Sequence, residues 1–262
     1  MIHRKIISPT MLVLAALLFV LVSLGFVPQV WAQAVAGSIT AITGSATITR
    51  AGATIPAAYG TAVDVGDQIV TAAASSLTIT LSDKSQIEVT DSSTLTIDQN
   101  TLNAAGVRAS TRLSLLTGLV RSLVSTTPGT PPNFEVHTPN AVASARGTYY
   151  DVDHETGAHD KKFKDCTEFT HVAVYKGNVD VYNPTNPSSP TVNVKEGQKV
   201  TIPCGGAPVF GGPVPLAEWL AIGALGGLGA GALAVTAYGA DGGFGSGNHH
   251  HHQPHQPVSA DE

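Results

Sequence analysis

Cysteine occurs only twice in the 262 residues, at Cys166 and Cys204, and neither stands near the N-terminus. That excludes lipid attachment at the end of an export signal and leaves no Cys-x-x-Cys pair to hold zinc or run dithiol chemistry. Positive charge is scarce too: 14 Lys and Arg against 19 Asp and Glu give a formal net charge of -5. Such a chain has no bulk positive field with which to gather nucleic acid by counterion release, so no nucleic-acid partner is expected. Aromatic residues make up 6% of the chain, too few for a row of sugar-stacking platforms, with Tyr59, Tyr149, Tyr150 and Tyr182 scattered. A G-x-S-x-G elbow, an H-E-x-x-H pair, a phosphate loop and a dinucleotide fingerprint are all missing. The sequence therefore predicts no enzyme, no cofactor and no resident metal.

What is present begins with an export signal. His3, Arg4 and Lys5 precede an uncharged run from Met11 to Val27, Pro28 ends it, and Ala32-Gln33-Ala34 offers the small residues that a signal peptidase inspects. The expectation is a signal peptide over 1–34 with Val35 as the first mature residue; an uncleaved anchor is the alternative. Either way the body lies outside the cytoplasm, in the periplasm or cell envelope.

From Ser38 onward the apolar residues recur with period two between short polar turns. Leu77-Thr78-Ile79-Thr80-Leu81 puts three aliphatic side chains on one face and two threonines on the other, as a half-buried strand requires. Ser82 to Ser85 makes the turn, and Ile87 and Val89, then Leu95 and Ile97, repeat the pattern. Ile39, Ile42, Ala46 and Ile48 around Gly44 read as an earlier hairpin. Further strands are expected at 113–124 around Gly118, 134–138, 152, 172–175, 179–182, 192–194 and 200–202. No window has a helical period, and the fold class is all-β.

These turns and strands follow a familiar order. Gly60 to Thr71, with Gly66-Asp67 at its centre, resembles the G-x-x-L-x-x-G-D-x-I-x-T segment of FecR domains, and Asp83-Lys84-Ser85 resembles the D-G-S turn that comes next, with Lys84 in place of Gly. Thr138-Pro139-Asn140-Ala141-Val142-Ala143-Ser144-Ala145-Arg146-Gly147-Thr148-Tyr149-Tyr150-Asp151-Val152 resembles the block T-P-x-A-x-A-x-x-R-G-T-x-F-x-V. Val174 to Val179 and Val194 to Val200 resemble the closing segments. The resemblance implies a short β-solenoid or β-roll of many short strands over 35–204. In the founding members this domain is joined to a transmembrane helix and a cytoplasmic anti-sigma segment. About ten residues precede the apolar run here, so the expectation is a stand-alone exported protein without that segment. Its function is then expected to be a non-enzymatic interaction or scaffold module with an envelope protein partner; an accessory regulator of signalling to a sigma factor, or a carbohydrate- or peptidoglycan-binding module, are the alternatives.

Several residues carry specific expectations. The motif residues Gly66, Asp67, Thr138, Pro139, Arg146, Gly147 and Thr148 are read as structural, with the small Ala141, Ala143 and Ala145 drawing the Arg146 guanidinium inward as a clamp between β-layers. Anion recognition by Arg146 is the alternative. Two cysteines in an oxidising compartment suggest one disulfide, Cys166–Cys204, and a metal held by the pair is the weaker option. Asp64, Asp67, Asp83 and Asp91 sit at successive turns, but their spacing fits no calcium loop.

After Cys204 the composition changes. Residues 205–218 read as a Gly/Pro linker. The stretch 219–238 is Gly/Ala-rich, hydrophobic and free of charge, long enough to cross a membrane, with Gly223, Gly227 and Gly231 forming one small stripe if helical. Membrane anchoring or self-association through this stretch, or a flexible tail, are the two readings. Residues 239–262, with His249 to His252 and His255, read as a disordered His-rich tail.

Overall fold

The chain was analysed as a computed structural model, which describes residues 34–126 and 133–215. It divides into two compact units, 1–33 and 34–262, and every described residue belongs to the second. The expectations for the export signal up to residue 33, for 219–238 with Gly223, Gly227 and Gly231, and for the histidine tail lie outside the described residues.

Among the described residues all regular structure is strand, as the period-two pattern demands. In chain order the strands are β1 (Val35–Thr43), β2 (Ala46–Arg50), β3 (Ala53–Pro56), β4 (Ala62–Asp64), β5 (Gln68–Thr71), β6 (Ser76–Leu81), β7 (Gln86–Val89), β8 (Thr94–Leu102) and β9 (Arg108–Leu123). They continue with β10 (Phe134–His137), β11 (Val142–Ala145), β12 (Tyr149–Thr156), β13 (Glu168–Lys176), β14 (Asn178–Tyr182), β15 (Val192–Lys195), β16 (Gln198–Pro203) and β17 (Val209–Pro213). In β6 the predicted alternation is complete: Leu77, Ile79 and Leu81 are buried and Thr78 and Thr80 are not.

Two ladders emerge. The first runs β4-β1-β6-β7-β9-β12-β13-β16-β17, antiparallel throughout. The second runs β3-β2-β5-β8-β9-β10-β11-β14-β15, with one parallel pairing, between β9 and β10. Beyond β9 the chain moves between them as hairpins: β10 and β11, then β14 and β15, in the second ladder, and β12 and β13, then β16 and β17, in the first. Buried residues of both ladders, such as Ile79, Val120 and Val172 from the first and Ile69, Leu113 and Val181 from the second, form one apolar cluster. Among the described residues this is the all-β body that the sequence predicts, an open mixed sheet of 17 strands.

Strand β9 belongs to both ladders, and Gly118 is where it crosses. Thr117 still pairs with Thr94 of β8 in the second ladder, whereas Gly118 pairs with His154 of β12 in the first. Gly118 has φ +87, and a Cβ there would lie 2.1 Å from Ser93 Oγ, so only glycine fits. The Ser93 hydroxyl that takes this space accepts the Leu119 amide at 3.0 Å, which satisfies a backbone group at the crossing.

Two expectations change. β1 and β2 do not pair with each other, because the bend at Gly44 (φ +75) carries the chain from one ladder to the other. And β17 falls inside the stretch read as linker: its amides pair with β16, so backbone hydrogen bonding continues to Pro213 although the side chains are largely exposed. A glycine-rich composition hides an edge strand that is held by its main chain. The Cys166–Cys204 disulfide is present, with Cα atoms 5.9 Å apart and a sequence separation of 38. It ties the loop before β13 to the end of β16, worth about 4 kcal/mol in the loop-closure account.

Candidate interaction surface

Several of the family-pattern residues make hydrogen bonds within turns or between strands. Asp67 is fully buried and accepts two bonds from Arg50, at 2.8 Å to Nε and 2.6 Å to Nη2, and a third from the Asp64 amide at 2.8 Å. Arg50 also reaches Asp64 at 2.8 Å. The Gly66 amide, at φ +93, donates to the Ile97 carbonyl at 2.7 Å. Asp83 is engaged by Arg108, which also donates to Ser85 Oγ (3.0 Å), Asn133 Oδ1 (2.9 Å) and the Ser125 carbonyl (3.0 Å). The aspartates weighed for calcium at positions 64, 67 and 83 thus face arginines. Thr138 accepts the Ala141 amide at 3.0 Å across Pro139, and Thr148 Oγ1 donates to the Asn178 carbonyl at 3.0 Å. A Cβ on Gly147, at φ +66, would lie 2.5 Å from Thr126 Oγ1.

Arg146 departs from its expected role. Its side chain is exposed at the bend between β11 and β12, not drawn between layers. Ala145 already points into the core, so the next residue turns outward. Among the described residues the buried arginines are Arg108 and Arg121, neither of which lies in the motif that suggested a clamp.

Arg121 organises the outer face of the first ladder. Val120 on one side of it is in the core, so Arg121 points the other way, into a cross-strand row running Thr78, Glu88, Arg121, Asp151, Ala173, Lys199. Arg121 Nε and Nη2 each donate to Asp151 at 2.9 Å, and the Tyr175 hydroxyl donates to the same carboxylate at 2.8 Å. Glu88 stands 3.7 Å from Arg121 Nη1 on the opposite side. Tyr149 and Tyr175 pack with ring centroids 5.5 Å apart, and Val214, just past β17, closes over Ala173 and Tyr175 with Tyr149 against them. The result is a second apolar cluster outside the main core, built over a desolvated ion pair. Leu123, on the neighbouring row beside Tyr149, remains 48% exposed.

The next row is Leu119, Asp153, His171, Thr201. His171 Nδ1 meets Thr201 Oγ1 at 2.8 Å and its Nε2 meets Glu155 at 3.2 Å. Ionisation is perturbed across both rows. Burial works against the Arg121 charge, yet Asp151 outweighs it and holds the guanidinium above its usual range. Burial raises Glu88 against the pull of Arg121, pushes Tyr149 up to about 12, and pushes Asp153 up to about 7 despite His171 beside it. Glu155 is lowered by its hydrogen bond to His171. Burial and neighbouring charges thus perturb ionisation along both rows.

Sequence reasoning quoted Tyr149 and Asp151 in the family block but missed Glu88 and Arg121. For Glu88 the available signal was a lone charge between Ile87 and Val89; Arg121, near the end of β9 and followed by Ser122, is one of three arginines in its strand and carries no such signal. Tyr59, by contrast, is 76% exposed on a loop, and Tyr150 is buried in the core, so the four tyrosines form no common platform.

Comparison with known proteins supplies a context for this surface. No curated protein sequence matches the chain. Two crystal structures of a proposed anti-sigma factor from Parabacteroides distasonis ATCC 8503, at 1.65 and 2.50 Å resolution, align with TM-scores of 0.43 and 16% identity. Each alignment covers 58% of this chain, and the chain spans less than two thirds of theirs, 64% and 63%. Residues 67–180 match the family model described as FecR protein. That match includes Asp67, the Asp83 turn, Arg121 and the whole Thr138 to Val152 block, so this segment carries the pattern of the FecR family model.

Proposed function

We propose that this protein is a non-enzymatic interaction module of the bacterial cell envelope that regulates cell-surface signalling by binding a protein partner. The observation that carries the reading is the FecR match over 67–180, which includes most of the polar and aromatic groups gathered on the outer face of the first ladder. Within it Asp67 and Asp83 are held by Arg50 and Arg108, a use that suits a scaffold presenting a surface. The outer face around Leu123, Tyr149 and Glu88 combines an exposed aliphatic side chain, a half-buried aromatic ring and a partly desolvated carboxylate, the composition of a protein-binding patch. Export is supported by the basic, apolar and Ala-x-Ala features of 1–34 and by β1 beginning at Val35, directly after the expected cut.

The test places a photo-crosslinking amino acid at position 123 in the full chain, in its native host, with position 49 on the outer face of the second ladder as control. A discrete envelope protein crosslinked from 123 and not from 49, together with altered transcription of a sigma-dependent reporter when the chain is deleted, is the expected result. Cytosolic fractionation, or crosslinking that is equal from both faces, overturns the proposal.

A further inference from the structure

At the disulfide end of the body four segments meet in a buried polar network that the interaction surface does not use. It joins the turn between β10 and β11, strand β12, strand β13 and the end of β16. Thr138 and Thr170 hydroxyls lie 2.7 Å apart, the Thr170 hydroxyl donates to Asn140 Oδ1, and Asn140 Nδ2 donates to the Ile202 carbonyl at 3.0 Å. His154 is 1% exposed, and its Nδ1 is 3.0 Å from Thr170 Oγ1. With the Thr170 proton committed to Asn140, Nδ1 carries the imidazole proton and donates to Thr170. The other nitrogen, Nε2, is then a bare lone pair. It is buried without a hydrogen-bond partner and faces Glu168 Oε1 at 3.6 Å.

We propose that His154 is the latch of an acid-sensitive opening at this end of the domain. A proton arriving at neutral His154 has only Nε2 to occupy, and there it places a full charge in a buried site whose nearest carboxylate oxygen, Glu168 Oε1, stands 3.6 Å away, beyond hydrogen-bond distance. Glu168, Glu155 and a hydrogen bond to the Phe169 backbone offer partial compensation, and His171 opposes it; Gly118, the partner of His154 on β9, and the Thr138 to Ala141 turn bring no titratable group. Burial outweighs the carboxylates, so the imidazole sits below its ordinary value. A base whose folded value lies below the unfolded value, about 6.5, binds its proton more readily once exposed. Acid therefore favours the conformation in which His154 leaves the network.

What opens is bounded by named contacts. The Glu168 carbonyl accepts the Cys204 amide at 2.8 Å, and Gly157 donates to the Thr167 carbonyl at 2.7 Å to close the loop between β12 and β13. The disulfide keeps that loop attached to β16, so the opening is local and reversible. This device rests on the geometry of the network alone and stands or falls separately from the partner-binding proposal.

Hydrogen exchange with mass spectrometry on the full, disulfide-intact chain at pH 7.5 and 5.5, corrected for intrinsic rates, tests it. Peptides covering 138–141 and 154–170 are expected to exchange several-fold faster at pH 5.5, while β5 to β8 are unchanged. His154→Gln, which cannot titrate, should remove the difference. Should that variant fail to fold by circular dichroism, Glu168→Gln serves instead: without the carboxylate the imidazole is still harder to protonate in place, and the acid response should grow. Equal exchange at both pH values, an acid response that survives His154→Gln, or one that is not larger in Glu168→Gln overturns the proposal.

Discussion

Arg121 on β9 and Asp151 on β12 stand directly opposite each other in the ladder and join through two hydrogen bonds of 2.9 Å, with only 10% and 1% of their side chains exposed. This is the strongest polar tie between β9 and the second half of the chain on the outer face. A buried pair is costly to break and cheap to replace, because removal of one partner strands a desolvated charge. Asp151→Ala and Arg121→Ala should each destabilise by about 3–5 kcal/mol, whereas Arg121→Met with Asp151→Leu should lose far less. Urea unfolding of the four proteins as a double-mutant cycle measures the coupling.

Lys84 occupies a left-handed backbone conformation at φ 72, in the turn where the family pattern has glycine. A side chain pays roughly 1–2 kcal/mol for that conformation, and glycine pays part of it back in unfolded-chain entropy. Lys84→Gly should therefore raise stability by up to about 1 kcal/mol. Thermal melts read this as a rise of a few degrees, with the Arg108 contacts to Asp83 and Ser85 left in place.

Gly118 predicts the opposite. A methyl group there meets Ser93 Oγ at 2.1 Å and Ser93 Cα at 2.7 Å, in a backbone conformation that alanine resists. Gly118→Ala should cost on the order of 2–4 kcal/mol, since both strain and overlap fall on the point where β9 changes ladders. Pairing Gly118→Ala with Ser93→Gly removes the overlap with the serine side chain but not with the Cα, and should recover part of the loss in the same unfolding assay.

Asp153 gives a pH dependence with a definite sign. Burial pushes its folded value up to about 7, above the unfolded value near 3.9. A carboxyl raised in this way contributes stability that is complete below about pH 4 and is lost as pH rises through about 7. Asp153→Asn should be more stable than the parent at pH 8 and should flatten the slope of stability between pH 4 and 7. His154 acts in the other direction below pH 6.5, so the comparison is made in a His154→Gln background.

Much of the fold is legible along the chain because a strand's side chains alternate with period two. β6, β7, β8, β13, β14 and β16 each announce themselves through aliphatic residues separated by polar ones. The strands that escape notice lack that signal. β3 is exposed at all four positions, β11 is built of small residues within the motif, and β17 is a Val-Phe-Gly-Gly-Pro stretch held by backbone bonds. Pairing is a different matter from existence. Nothing local at Gly44 distinguishes a hairpin from a crossing between ladders.

The interaction surface follows the same division. The motif residues Thr138 and Thr148 bond within or between turns and strands, and Arg146, read as an inward clamp, is a surface side chain. The row of Glu88, Arg121 and Asp151 joins positions separated by 33 and 30 residues in the chain, and only the registers of β7, β9 and β12 bring them together.

By itself the sequence determines an all-β body built from alternating strands, the family pattern and a pair of cysteines suited to one bond, because each of these depends on composition and near-neighbour spacing. Tertiary structure alone decides which strands pair, which arginines become buried and which carboxylates lose their water. Those outcomes depend on registers and burial between distant segments, which no local period encodes.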